Sequence, residues 1–136
     1  MTINVELRDE QAARLDQFAN GLRKTRGEAT AQLIEEGLRH AEFPAIEFRD
    51  SAAGRQAYVV GSGLAVWEVL MVANGYGLDP LATAHHLQLY RDVVAQALHY
   101  ASAFESEIHG ALEENRAITA EKLRGSLPSG AWIDIR

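Results

Sequence analysis

The chain contains no cysteine and no apolar run that approaches the length of a membrane span. The absence of cysteine excludes disulfides, thiolate metal sites and thiol nucleophiles. The N-terminus lacks the basic-then-apolar pattern of a signal peptide, and acidic residues scattered through its first twenty positions argue against a transit peptide. Together these features predict a cytoplasmic protein.

The chain also lacks a basic excess, because its net charge is −6. Division at Pro44 gives 6 basic and 8 acidic residues before it and 7 basic and 11 acidic residues after it, or −2 and −4. Neither part has the basic character of a generic nucleic-acid binder, so any DNA contact must rest on local cations such as Arg23, Lys24 and Arg26. The acidic second part either attracts a basic protein partner or simply keeps the chain soluble.

A recognisable catalytic or metal-binding arrangement is missing as well. His85 and His86 are adjacent, so on a helix they point about 100° apart and cannot hold one ion from one face. Pairs such as His99 with Glu105 are typical of a solvated helix surface. Gly61-Ser62-Gly63 lacks the further residues of a phosphate loop and predicts a turn. We therefore expect no metal, no cofactor and no enzymatic activity.

The first 44 residues predict one strand followed by two helices. The strand covers residues 2–7 and alternates between an apolar and a polar face. Its apolar face is formed by Ile3, Val5 and Leu7. Its polar face is formed by Thr2, Asn4 and Glu6. A helix over roughly 10–20 follows with Asp9 as its cap, and a second helix starts near Thr25 and buries one apolar stripe. This stripe contains Leu33, Ile34, Leu38 and Ala41. A lone strand has no hydrogen-bonding partner, so we expect two copies to pair antiparallel across a two-fold axis.

This segment resembles the ribbon-helix-helix family of dimeric DNA-binding proteins, the Arc, MetJ and CopG group. The resemblance rests on the alternating strand, on Leu7 to Glu10, on Lys-Thr-Arg-Gly-Glu at 24–28 and on Leu-Ile-Glu-Glu-Gly-Leu-Arg at 33–39. It implies that the ribbon enters the major groove and that Thr2, Asn4 and Glu6 face bases. It also implies that the start of the second helix holds a phosphate. The implied phosphate-contacting residues are Lys24, Thr25, Arg26, Gly27 and Glu28.

Two positions depart from that family. Glu6 is acidic on a surface that approaches a polyanion, although its carboxylate can accept from a cytosine amino group. Gly27 stands where the family often has a capping serine, and Thr25 is the alternative cap. The competing interpretation is that residues 1–44 only dimerise the chain.

Beyond Pro44 the sequence predicts a β-hairpin followed by three helices. Strands over 46–49 and 56–60 flank a turn, and an apolar helix covers 64–73. Asp79-Pro80 starts a short helix that buries Leu81, Ala84 and Leu87, and a tight turn near 88–89 leads into a long helix from about Tyr90. The arrangement is typical of a trihelical, helix-turn-helix-like unit.

Residues 45–108 resemble a small family of prokaryotic VapB-like antitoxins, whose members commonly sit beside a PIN-like ribonuclease toxin. The resemblance rests on Gly-Arg-Gln-Ala-Tyr-Val-Val-Gly-Ser-Gly-Leu-Ala-Val at 54–66, on Leu-Asp-Pro-Leu-Ala at 78–82 and on the segment 93–100. Gln56 and Gly63 replace the family's usual proline and arginine. The resemblance implies an antitoxin role, a protein partner and a second DNA-contacting surface.

The third helix of this unit carries a heptad stripe, formed by Tyr90, Val94, Ala97, Ala101, Phe104, Ile108 and Ala111. Because a helix of about 25 residues would span roughly 37 Å, we expect the part from Phe104 onward, including Ile108, to pack against another chain. A dimer contact is favoured, with a toxin-binding groove as the alternative.

The tail, residues 117–136, ends in an apolar alternation formed by Trp132, Ile133 and Ile135. Such a segment can add a strand to a partner or dock on its own dimer. The resemblance to antitoxins favours strand addition to a partner protein.

The sequence thus predicts a mainly α protein with three parts. Residues 1–44 form a ribbon-helix-helix module, 45–116 a hairpin plus three-helix module, and 117–136 a partner-binding or docked tail. The predicted function is that of an antitoxin, a homodimer that binds operator DNA and neutralises a PIN-like ribonuclease. Two dimerising surfaces would also allow a tetramer. The alternatives are a stand-alone repressor whose second module only oligomerises, and a scaffold protein without DNA binding.

Overall fold

The computed structural model describes residues 1–126, and their side chains up to residue 117. The described part is mainly helical, with six helices and one two-stranded antiparallel sheet. The chain divides into two compact units after Pro44, the boundary that Pro44 itself predicts. None of the described helices combines the length and the apolar character needed to cross a bilayer. The tail residues Trp132, Ile133 and Ile135 lie outside the described residues.

The first module contains helices α1, Asp9–Gly21, and α2, Arg26–Glu42. The prediction that Asp9 caps α1 is wrong, because Asp9 is already the first helical residue and Arg8 precedes the helix with extended backbone. The amide of Arg8 donates to the Gln11 side chain at 3.0 Å, so glutamine closes the first turn instead. Thr25 caps α2, as its sequence position suggests.

Residues 1–8 carry no helix or strand in the single chain. A strand requires a neighbour to accept and donate its backbone hydrogen bonds, and no second copy is present here. The pairing of residues 2–7 across a two-fold axis therefore stays a prediction.

The two helices of the first module pack on small residues. Ala19 of α1 and Ala29 of α2 are buried, whereas Leu33, Ile34 and Leu38 remain 40–56% exposed. The prediction that α2 buries these residues and Ala41 is thus wrong for the single chain. Two packed helices share a single interface, and in this module alanines occupy its buried positions.

The second module begins with the predicted hairpin, formed by β1, Ile46–Ser51, and β2, Gly54–Val59. Ile46 pairs with Val59 and Ser51 with Gly54, so only two residues form the loop. Gly54 has a φ of +104°, a conformation that glycine adopts without strain. Ile46 and Val59 are fully buried and anchor the sheet in the core of the module.

Three helices follow the hairpin: α3, Val66–Asn74, α4, Pro80–Leu87, and α5, Arg91–Ala103. The side chain of Asp79 accepts from the amide of Leu81 at 3.1 Å, which confirms the predicted cap. Ala84 is buried, but the prediction that Leu81 is buried is wrong, because it is 62% exposed. Both α3 and α4 pack against α5, whose Val94, Ala97 and Tyr100 are fully buried.

The predicted long helix is in fact two helices. Phe104 leaves helical geometry at φ −120° and ψ 48°, and α6, Glu105–Ser126, follows it. The bend lets α6 pack against α3 of the same chain. Ile108 is consequently only 4% exposed, and the Phe104 ring lies 4.7 Å from that of Tyr100, centroid to centroid. The expectation that Phe104 and Ile108 contact another chain is therefore wrong for Ile108, and Phe104 already has an aromatic neighbour in its own chain.

Helix α4 ends at a residue that adopts left-handed backbone geometry although it is not glycine. Gln88 has a φ of +57°, and the amide of Leu89 donates to the carbonyl of Ala84 at 3.0 Å, as in a Schellman motif. Because left-handed backbone costs L-residues about 1 kcal/mol, we expect Gln88→Gly to raise the free energy of unfolding of the second module by up to about 1 kcal/mol. Urea unfolding followed by circular dichroism measures this. Gln88→Ala keeps a Cβ and should give no gain, and an equal gain from both variants would contradict the explanation.

Candidate nucleic-acid interface

The predicted ribbon residues are exposed along the whole N-terminal segment. Thr2, Asn4 and Glu6 are exposed, as the base-facing side of a ribbon must be. The three apolar residues between and after them are exposed too: Ile3 at 68%, Val5 at 71% and Leu7 at 45%. The segment therefore presents both of its faces to solvent in the single chain.

An open groove of about 760 Å³ continues this apolar surface into the helices. Leu7 lines it together with Leu15 and Phe18 of α1 and Leu33 and Ile34 of α2. In residues 1–44, all of which are described, the buried residues are Ala19 and Ala29. A module with so small a core and so many exposed large apolar residues is typical of a chain that folds with a partner.

A reciprocal capping box forms the start of α2. The amide of Glu28 donates to Thr25 Oγ1 at 3.1 Å, and the amide of Thr25 donates to Glu28 Oε1 at 3.0 Å. Two predicted phosphate-contacting side chains, those of Thr25 and Glu28, are thus engaged within the helix itself. The amides of Arg26 and Gly27 have no acceptor within the helix and remain the donors that can meet an anion.

The cations beside this helix end have partners of different kinds. Lys24 Nζ donates to the neutral amide oxygen of Gln32, and its charge also acts on the nearby Glu28 carboxylate. Arg26 instead forms two hydrogen bonds with Asp16 of α1, from Nε at 2.8 Å and from Nη2 at 2.7 Å. This pair lowers the pKa of the Asp16 carboxyl chiefly through the hydrogen bond from Arg26. Sequence analysis missed Asp16, because it lies ten positions before Arg26 and only the packing of α1 on α2 brings the two together.

The second module offers no comparable chemical centre. One groove of about 440 Å³ brings His99 of α5 near Glu105 and His109 of α6, among apolar residues. Within the described residues, however, no group of three or more histidine or acidic side chains has the geometry to hold a metal ion. We therefore place the candidate site on the first module.

Comparisons with known proteins place the chain in no family: no family model, no curated protein and no solved structure matches it.

The capping box makes the first module sensitive to acid. Hydrogen bonds from Thr25, the backbone bond first, lower the pKa of Glu28. A carboxyl whose pKa is lowered by folding stabilises the fold while it is ionised, and this contribution is lost as the pH falls through the lowered pKa. We expect wild type to exceed Glu28→Gln in thermal stability at neutral pH. The difference should shrink at pH values below the ordinary range of a glutamic acid. Melting followed by circular dichroism across pH measures this, and a difference that persists in strong acid would contradict it.

Proposed function

We propose that the protein is a homodimeric DNA-binding protein of the ribbon-helix-helix kind that acts as the antitoxin of a toxin–antitoxin pair and represses its own operon. The observation that carries the dimer is the uncovered apolar surface of the first module. Its strand-forming segment and its groove are both exposed, while its buried core consists of two alanines.

A second copy of the chain suits that surface better than an unrelated partner. The alternating segment at residues 2–7 can pair with the same segment of another copy, which satisfies its backbone groups and turns Ile3, Val5 and Leu7 toward both grooves. The opposite face of such a ribbon then consists of Thr2, Asn4 and Glu6 from both chains. A two-stranded ribbon of this kind fits the major groove of B-form DNA.

The DNA contacts follow from the chemistry of these residues. The Asn4 side chain both donates and accepts, so it can form two hydrogen bonds to adenine. The amides of Arg26 and Gly27, with the positive end of α2 and the charge of Lys24, suit a backbone phosphate. In the dimer, the start of α2 in each copy would bind one backbone phosphate, so that the DNA is held on both sides of the ribbon.

The second module supports a partner-binding role rather than a second DNA contact. The chain after Pro44 carries 7 basic and 11 acidic residues, which repels DNA and attracts a basic protein. Leu81 at 62% and Tyr90 at 84% exposure offer apolar contacts of the kind that protein interfaces use. A small basic ribonuclease of the PIN-like kind is the partner that the antitoxin role requires.

A titration against the chain's own upstream DNA tests the DNA-binding role. Selective binding relative to an unrelated fragment, weakening steeply between two salt concentrations, supports the proposal. The absence of a selective complex at either salt concentration would refute the DNA-binding part. Co-purification from the native host with a basic ribonuclease then separates an antitoxin from a repressor whose second module only oligomerises.

A further inference from the structure

The ion pair between Asp16 and Arg26 lies at the start of α2, where the proposed function places a DNA phosphate. Arg26 is the first residue of α2, and Asp16 reaches it from α1 through two hydrogen bonds at 2.7 and 2.8 Å. The side chains are 65% and 44% exposed, so the pair sits at the surface rather than inside the module. A phosphate that binds the amides of Arg26 and Gly27 would lie near this pair, because Arg26 contributes both an amide and the paired side chain.

Stability alone does not account for the pair. An exposed ion pair contributes little to folding, because water and salt screen it. The two alanines buried where α1 packs on α2 already join these helices. Asp16 also acts on a nearby anion, because its negative charge offsets that of the arginine closest to the start of α2.

We propose that Asp16 attenuates DNA binding by holding the Arg26 guanidinium in an internal ion pair. This inference rests on the proposed function. While Arg26 remains paired with Asp16, the two side chains contribute no net charge toward a phosphate. The carboxylate therefore lowers the affinity for DNA, and it lowers it equally for every sequence, because phosphate contacts carry no sequence information. The base-contacting residue Asn4 sets selectivity, and Asp16 sets overall strength.

Asp16→Asn tests this role because it removes the charge and keeps the shape. Each newly neutralised phosphate adds about 0.9 to the slope of log affinity against log salt. The variant dimer should therefore show a slope steeper by about 1.8, so that its gain in affinity over the parent grows by about tenfold as the salt concentration falls from about 200 mM to about 50 mM. The affinities for operator and unrelated DNA should rise by a similar factor. Fluorescence anisotropy over a series of salt concentrations measures all three quantities.

Two further variants isolate the cause. Arg26→Gln should weaken DNA binding, because it leaves the Asp16 carboxylate without its partner, and the double variant with Asp16→Asn should bind DNA like the parent. Glu35→Gln is the control, since it removes one exposed carboxylate of the same module, that of the Glu35–Arg39 pair, in which Glu35 is 55% and Arg39 18% exposed. Glu35 lies nine residues farther along α2 than Arg26, or about 13 Å, which exceeds the screening length of about 10 Å at 0.1 M salt.

The outcomes separate the inference from the proposed function. If neither parent nor variant binds operator DNA selectively, the proposed function fails and the attenuation fails with it. If the parent binds selectively but Asp16→Asn binds equally or more weakly, only the attenuation is overturned, and Asp16 then positions Arg26 for the phosphate. An equal gain from Glu35→Gln would also overturn it, because net charge alone would explain the effect.

Discussion

Ile34→Glu should convert the proposed dimer into a monomer. Ile34 is 55% exposed in the single chain and lines the groove that we assign to the second copy. The variant would lose the burial of the exposed half of each isoleucine side chain, worth about 0.8–1.6 kcal/mol per copy, and would bury two carboxylates without partners, which costs several kcal/mol more. The loss of at least about 3 kcal/mol weakens association by about 100-fold or more. Sedimentation equilibrium over a range of concentrations measures this change.

Ala13→Glu is the matched control for that experiment. Ala13 is an exposed residue of α1 that does not line the groove, and it receives the same charge on the same module. The variant should keep the dissociation constant of the parent within a few-fold. If Ile34→Glu remains as tight a dimer as the parent, the groove is not the interface. If both variants dissociate, the added charge acts through the fold rather than through the contact.

The contrast between the two modules shows which features a sequence can predict. The capping residues Thr25 and Asp79 and the hairpin were predicted because each depends on a few neighbouring residues. The burial of Leu33, Ile34 and Leu38 was predicted from periodicity, which identifies an apolar face but not what covers it. In the single chain these three side chains remain 40–56% exposed, as expected of a face that a second copy covers.

Two other features required the packed chain. A continuous heptad stripe predicted one long helix, yet the backbone bends at Phe104 and returns α6 to α3, so that Ile108 is buried within its own module. Most of the predicted stripe is thus buried within its own module, whereas Tyr90 at its start is 84% exposed. Likewise, the Asp16–Arg26 pair joins two helices, and no spacing rule within one helix could have indicated it.

The proposed function divides DNA recognition between the ribbon and the helix start. The amides and cations near Lys24 and Arg26 would supply affinity without selectivity, and by our further inference Asp16 would reduce that affinity. Selectivity must then come from the ribbon, where Asn4 is the side chain best suited to reading a base. The Glu6 carboxylate beside it is repelled by the phosphates of the DNA backbone. The acidic chain beyond Pro44 further lowers non-specific binding.

Asn4→Ala should therefore abolish sequence-selective DNA binding while the dimer stays intact. A good contact between an amide side chain and a base contributes about 1–3 kcal/mol of discrimination, and a symmetric dimer has two of them. The affinity for operator DNA should fall by about 30-fold or more, toward that for an unrelated fragment, whereas the salt slope should barely change. Gel-shift titration at two salt concentrations measures the affinities, and light scattering checks the dimer.

Asn20→Ala supplies the control, because Asn20 is an exposed asparagine of α1 outside the proposed ribbon. It should bind operator DNA like the parent. If Asn4→Ala also binds like the parent, the ribbon does not read bases and the first module serves only to dimerise the chain. If Asn4→Ala instead loses the dimer, the segment at residues 2–7 pairs through its polar face, and the assignment of its two faces is reversed.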